Sequence, residues 1–95
     1  MKKVIVIGGG IGGLAIANIL AKAGYKVTVL EKNKQLGGRA GLLKKEGFTF
    51  DTGPSWYLMP EVFEQYFILF GISATKMLEV ERLSPAYKIY FETDP

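Results

Sequence analysis

Apolar and polar positions divide residues 1–30 into three segments. Residues 3–7 form a β-branched run that ends at a glycine, which predicts a strand buried on both faces. Small and apolar residues at 14–21 follow the glycines and stop near Gly24, which predicts a helix. A second β-rich run occupies residues 25–30. This order predicts a βαβ unit, with parallel strands joined by a right-handed crossover.

The pattern after residue 33 is less regular. A polar, glycine-rich stretch at 33–41 predicts a loop. The other elements predicted are, in chain order, a hairpin over 42–45 and 48–50, a helix over 61–70 closed by Gly71, and strands over 78–83 and 87–92. The predicted fold class is therefore α/β: a Rossmann-like βαβ unit with a parallel sheet, a small β-hairpin, and a C-terminal helix and strands.

The composition suits one small globular domain and removes several kinds of site. The chain has 95 residues, of which 48% are hydrophobic and 22% are charged. It has no cysteine and no histidine, so disulfides, thiolate or imidazole metal ligands and a histidine acid/base are excluded. We therefore expect no metal, and we assign no catalytic residue.

The charges are unevenly distributed along the chain. Residues 1–45 carry nine Lys and Arg and one acid, whereas residues 46–95 carry three bases and eight acids. A basic half is one sign of nucleic-acid binding, but these lysines are scattered and have no aromatic residues between them. The pattern favours a solvated surface that assists phosphate binding, and we expect no nucleic-acid partner.

The apolar stretch at 4–20 resembles a signal or membrane segment in composition alone. Glycines and Asn18 interrupt it, only two lysines precede it, and no small-residue cleavage site follows. It is more typical of a strand, a turn and a helix. We therefore expect a cytoplasmic protein.

The glycines between the first strand and the helix form the first candidate site. Their spacing, Gly8-x-Gly10-x-x-Gly13, is a dinucleotide-binding fingerprint when it leaves a strand and opens a helix. Gly8 permits the tight turn, Gly10 lets backbone N–H groups approach a pyrophosphate, and Gly13 lets the helix pack closely. Free N–H groups and the helix dipole favour the anion, so Ile11 is expected to line it too.

An acid follows at the end of the second strand. Glu31 lies 23 residues after Gly8, where a carboxylate can accept hydrogen bonds from ribose hydroxyls. It also repels a 2′-phosphate and so disfavours NADP, although Lys32 beside it can help to bind phosphate. Ala17, four residues after Gly13, keeps the helix close to the strand. The alternative is a flexible glycine loop in an unrelated α/β protein.

The loop after Glu31 bears on the choice between FAD and NAD. Gly37 and Gly38 allow the backbone to pass close to a cofactor, and Arg39 offers a cationic fork near phosphate or flavin. The alternative is a Gly-Gly turn with an arginine that faces solvent.

Three segments resemble a known family. Glu31, five residues and then Gly37-Gly38-Arg39 are similar to the signature of the flavin amine oxidase and phytoene desaturase superfamily. Residues 47–64 closely resemble the corresponding segment of bacterial-type phytoene desaturases and related carotenoid desaturases. Residues 82–87 are similar to that family's Arg-Leu-x-Pro-x-Tyr segment.

The chain also departs from the family's pattern. Many relatives carry Arg where Gln35 stands, and Ser or Thr where Leu42 stands. Family members are several times longer, with a substrate domain and a C-terminal segment that contacts the flavin. The resemblance implies that residues 1–95 are the N-terminal part of an FAD-binding domain, without the substrate domain.

The resemblance implies FAD-dependent desaturation of phytoene or a related carotenoid precursor, by hydride transfer to the flavin. The cofactor-binding residues expected from position and resemblance together are Gly8, Gly10, Ile11, Gly13, Glu31, Lys32, Gly38, Arg39, Gly53, Pro54, Ser55 and Trp56. The implied partners are a lipophilic polyene substrate and the missing C-terminal part of the same protein. Peripheral association with a membrane is compatible with such a substrate.

Two other functions stay open at the level of the sequence. One is another enzyme of the superfamily, such as an amine oxidase, a protoporphyrinogen oxidase-like protein or a sugar mutase. The other is a non-catalytic module that binds a dinucleotide. Because the resemblance implies that the segment contacting the flavin is missing, we expect the 95-residue chain to lack desaturase activity by itself.

Overall fold

A computed structural model describes residues 1–54 and 56–93 of the chain. The chain divides into two compact units, Met1–Leu58 and Met59–Pro95, and each is described here by itself. No helix within the described residues is both long and apolar enough to cross a membrane.

The first unit begins with the predicted βαβ arrangement. Strand β1 (Lys3–Ile7) leads through the glycines to helix α1 (Ile11–Lys22), which returns the chain to strand β2 (Lys26–Leu30). The two strands are parallel, with Val4 opposite Val27 and the pairing continuing to the ends of both strands. The βαβ prediction is therefore confirmed.

Helix α1 ends where the sequence predicts. Gly24 has a φ of 95°, a left-handed conformation that glycine adopts without steric cost. Its N–H donates to the carbonyl of Ala21, and the N–H of Tyr25 donates to the carbonyl of Leu20. These bonds satisfy carbonyls at the end of the helix and turn the chain into β2.

The two faces of the parallel sheet differ. Alternate residues of β1 and β2, among them Val4 and Val6, are half-buried on one face, and α1 packs against both strands. On the other face Ile7 is 86% exposed and Leu30 51% exposed. The prediction that β1 is buried on both faces is therefore wrong. The physical reason is that α1 is the one helix of the first unit's described residues, and one helix covers one face.

A hairpin follows in the same unit. Strand β3 (Leu42–Lys45) pairs antiparallel with β4 (Phe48–Asp51), as predicted, with β4 one residue longer. Glu46 and Gly47 join the strands with φ values of 51° and 81°. Two positive φ values in a two-residue turn are typical of the type I′ hairpin, whose twist matches that of the strands.

The second unit is helical. Helix α2 (Pro60–Ile68) starts at its proline and ends two residues earlier than predicted, and Gly71 turns the chain with a φ of 71°. A short helix α3 (Ala74–Met77) follows. The Glu64 carboxylate of α2 accepts a hydrogen bond from the Ser73 hydroxyl at 2.7 Å and one from the Thr75 N–H at 3.1 Å. It thereby ties α2 to the first turn of α3.

The strands predicted over 78–83 and 87–92 are wrong. The structure has no strand in the described residues after Met59. A β-rich sequence becomes a strand only when another strand's edge accepts its backbone hydrogen bonds. The described part of the second unit offers no such edge, so local propensity is not enough there.

Candidate cofactor site

The first glycine loop, residues 8–13, joins the end of β1 to the start of α1. Gly8 has a φ of 101°, and its N–H donates to the Leu30 carbonyl at 2.7 Å, so the turn begins directly at the edge of the sheet. Gly10 is the N-cap of α1. Within the described residues, no side chain caps this end of the helix, and its first turn has no acid. The free N–H groups there suit an anion.

Two glycines of this loop lack a side chain for different reasons. A Cβ on Gly13 would collide with the carbonyl oxygen of Gly8, so the turn and the helix pack closely only because Gly13 is glycine. Gly10 has an ordinary φ of −76°, and a Cβ there would meet only the Gly38 Cα at 3.9 Å. Neither packing nor backbone conformation within the described chain requires glycine at position 10. The space above Gly10 is therefore available to a ligand.

Glu31 holds the first glycine loop from the end of β2. One carboxylate oxygen accepts the N–H of Gly9 at 3.0 Å, and the other accepts the N–H of Asn33 at 2.8 Å. The hydrogen bonds from Asn33 and from Gly9 lower the pKa of Glu31, against a smaller opposing effect of burial. The carboxylate is therefore ionised at neutral pH, and its remaining lone pairs can still accept ribose hydroxyls.

A second glycine loop, residues 35–41, packs against the first. The Gly37 N–H donates to the Gly9 carbonyl at 2.7 Å, and Gly37 forms a parallel bridge with Gly10. Gly37 and Gly38 both have positive φ values, of 110° and 60°. A Cβ on Gly38 would lie only 3.2 Å from the Gly10 Cα. The two glycine motifs therefore touch backbone to backbone.

The segment after β4 returns to the second glycine loop. The Thr52 N–H donates to the Gly41 carbonyl at 3.0 Å, and a Cβ on Gly53 would collide with the Arg39 carbonyl. Gly53 is thus placed against the backbone of Arg39, whose own side chain is exposed. The structure therefore brings three segments assigned to the cofactor into contact: the first glycine loop contacts the second, and the second contacts the segment at Gly53.

The other predicted residues that the structure describes are exposed. Lys32 and Ile11 are exposed beside Glu31 and at the first turn of α1, respectively. Pro54 and Trp56 are also exposed, with 56% of the Trp56 surface accessible. Ser55 lies outside the described residues.

Gly9 has a structural role that the sequence analysis missed. It is buried, its N–H donates to Glu31 and its carbonyl accepts from Gly37. A Cβ on Gly9 would press against the side chain of Leu36. The fingerprint treats position 9 as variable. The one sequence feature that could have indicated the role of Gly9 is the run of three glycines at 8–10.

The site is an open surface lined by backbone groups of the two glycine loops. A groove of about 240 Å³ lies elsewhere, beside Lys3, Ile5, Lys26 and Thr28 on the sheet. This groove lacks the convergent N–H groups and the acid found at the glycine loops.

The site's sequence matches a known domain family. The model of the NAD(P)-binding Rossmann-like domain matches residues 6–70, which include both glycine loops and Glu31. The chain belongs to this family. The match confirms the predicted Rossmann-like class and supports a dinucleotide cofactor.

Similar proteins confirm the resemblance to carotenoid desaturases. The chain is 56% identical over 89 residues to a carotenoid 3,4-desaturase from Haloarcula japonica, a match that covers 94% of this chain and 18% of that protein. It is 44% identical over 92 residues to a 4,4′-diapophytoene desaturase (4,4′-diaponeurosporene-forming) from Staphylococcus aureus, covering 97% of this chain and 18% of that protein. The chain thus matches about a fifth of the length of these enzymes.

A solved structure is also similar. The crystal structure of an oxidoreductase from Methanosarcina mazei superposes with a TM-score of 0.51 at 44% sequence identity. The superposition covers 58% of this chain and 13% of that protein.

Proposed function

We propose that this chain supplies the dinucleotide-binding surface of an FAD-dependent carotenoid desaturase. The observation that carries the proposal is the 56% identity to a carotenoid 3,4-desaturase over 94% of the chain. The contact between the two glycine loops supports it, because Gly37 and Gly38, which precede Arg39, lie against Gly10 of the fingerprint that would hold the pyrophosphate.

The residues present fit FAD. The start of α1 lacks a side-chain cap in the described structure, and Gly10 leaves open a space that a Cβ would occupy. The pyrophosphate would lie there, on the N–H groups of Gly10, Ile11 and the residues after them. Glu31 would accept the hydroxyls of the adenosine ribose.

The remaining roles concern orientation and charge. Arg39 and Lys32, both exposed, would balance the phosphate charge. Gly53, Pro54, Ser55 and Trp56 would approach the isoalloxazine. When bound, FAD would supply the acceptor for a hydride taken from an allylic carbon of a lipophilic polyene.

A second function concerns the chain by itself. Because it matches about a fifth of the length of the desaturases, we propose that the chain alone binds the dinucleotide without turning over a carotenoid. The elements that bind the substrate and cover the flavin would then belong to the rest of a longer protein. That protein would take its polyene substrate from a membrane surface.

The test is a fluorescence titration of the purified chain with FAD, NAD⁺ and NADP⁺. We expect FAD to bind most tightly and NADP⁺ most weakly. Gly10→Val should abolish FAD binding, because its side chain fills the space above the helix start while meeting little of the folded chain. The control is Ala21→Val, at an exposed position near the other end of α1. Equal FAD affinity in both variants would contradict the assigned site.

A further inference from the structure

The second glycine loop is closed by a side chain that belongs to neither glycine motif. The Oε1 of Gln35 accepts a hydrogen bond from the N–H of Leu42 at 2.9 Å, across seven residues. Leu42 is the first residue of β3 and pairs with Asp51. Gln35 therefore connects the start of the loop to the start of the hairpin, and Gly37, Gly38 and Arg39 lie between its two ends.

The neighbouring backbone shows that this closure is tightly packed. A Cβ on Gly41 would lie 3.0 Å from the Gln35 Oε1 and 3.0 Å from the Thr52 Oγ1. Gly41 is buried, and its carbonyl accepts the N–H of Thr52. The Gln35 side chain thus lies against a glycine that leaves room for it.

The closure is one of several anchors on the loop. Another is the bond from the Gly37 N–H to the Gly9 carbonyl, which attaches the loop to the cofactor fingerprint. Between these two anchors, the Ala40 N–H donates to the Gly37 carbonyl at 3.1 Å. Gly38 and Arg39 therefore lie between attachments on both sides.

We propose that Gln35 is a positioning residue: its side-chain oxygen closes the second glycine loop and so holds Gly38 and Arg39 against the first glycine loop for cofactor binding. The part that concerns the cofactor rests on the proposed function. The closure itself requires only an acceptor at position 35. Glutamine and glutamate provide one, whereas lysine, arginine and an apolar side chain of similar length do not.

The first experiment measures amide hydrogen exchange in the full chain. In Gln35→Met we expect exchange at the Leu42 amide to rise about three- to tenfold, as for loss of one partly exposed hydrogen bond. Gln35→Glu should restore the protection, since it retains the acceptor. Gln65→Met, at an exposed position of α2, is the matched control and should leave Leu42 unchanged. Unchanged Leu42 exchange in Gln35→Met would overturn the closure.

If Gln35→Met unfolds the chain, the amides of Val4 and Val6 in β1 will also exchange faster. A measurement on the unsubstituted chain covers that case. A scalar coupling through the hydrogen bond, between the Leu42 nitrogen and the Gln35 Cδ, supports the closure if it is present. Its absence from a spectrum that resolves the couplings within the β1–β2 sheet would overturn it.

The second experiment compares FAD affinity. We expect Gln35→Met to weaken FAD binding about three- to tenfold relative to Gln65→Met, in parallel with the change at Leu42. If Leu42 loosens and FAD affinity stays the same, Gln35 does not position the cofactor loop. If the unsubstituted chain binds no FAD, the proposed function fails, while the exchange result still decides the closure.

Discussion

The two units of the chain use glycine in different ways. In the first unit, Gly13 and Gly53 each lie against a backbone carbonyl at a distance that a Cβ could not occupy. In the second unit, Gly71 has a positive φ of 71°, but a Cβ there would meet nothing within 4 Å. Glycine therefore permits contact between backbone segments in the first unit and only a change of chain direction in the second.

The difference explains where the candidate site lies. A dinucleotide-binding surface is built from backbone N–H groups, so it needs loops that can approach one another closely. Gly9, Gly10, Gly37 and Gly38 provide that approach in the first unit. The second unit relies on side chains instead, as in the hydrogen bonds that Glu64 accepts from Ser73 and Thr75.

The largest effect is expected at a glycine that packs on backbone. Gly13→Ala should lower the free energy of unfolding by about 3 kcal/mol, because the Gly8 carbonyl cannot move away without disturbing the turn. The neighbouring control is Gly12→Ala, where a Cβ meets nothing within 4 Å in the same helix, so a gain of about 0.5–1 kcal/mol is expected. Urea unfolding of both variants measures the two values. The same sign of change in both would disprove the packing role of Gly13.

A smaller effect is expected where conformation alone requires glycine. Gly71→Ala in the second unit and Gly24→Ala in the first should each cost about 1 kcal/mol, because both positions have a positive φ and neither crowds a neighbour. Thermal unfolding of the two variants provides the comparison. A loss at Gly24 as large as that at Gly13 would mean that the first unit is sensitive to any added side chain.

The contribution of the hydrogen-bonded carboxylates Glu31 and Glu64 to the pH dependence of stability should be smaller, and of the same sign in both units. Hydrogen bonds from Asn33 and Gly9 lower the pKa of Glu31, and those from Ser73 and Thr75 lower the pKa of Glu64. Because the folded pKa is lowered, this stability is fully present above the ordinary carboxyl pKa of 4.5 and is lost as the pH falls through the folded value.

Glu31→Gln and Glu64→Gln should each reduce the acid-induced loss of stability. Unfolding curves at several pH values between 3 and 7 would measure it, with Glu46→Gln in the exposed β3–β4 turn as control. The interpretation fails if the Glu46 variant changes the pH dependence as much as the other two.

The smallest effect is expected on the exposed face of the sheet. Ile7→Thr should change the stability of the chain by no more than about 0.5 kcal/mol, because Ile7 is 86% exposed. Val6→Thr, on the face that packs against α1, should cost more than Ile7→Thr, because it removes half-buried apolar surface. Chemical denaturation distinguishes the two. Equal losses would indicate that both faces are covered.

Local sequence signals were sufficient for the βαβ unit, the hairpin and α2. The type I′ turn at Glu46 and Gly47 and the end of α1 at Gly24 depend on residues next to one another in the chain. The strands predicted over 78–83 and 87–92 failed because pairing depends on an edge elsewhere in the fold. The same holds for burial of β1, since no short pattern states how many helices cover a sheet.

The sequence by itself determined the strand–glycine–helix order, the spacing from Gly8 to Glu31 and the likeness to carotenoid desaturases. Only the tertiary structure decided that the two glycine loops pair with each other, that Gly9 joins Glu31 to Gly37, and that Gln35 closes the loop carrying Arg39. The reason is physical. Periodicity and turn preference act between neighbours in the chain, whereas these contacts join backbone atoms that only the folded first unit brings within hydrogen-bonding distance.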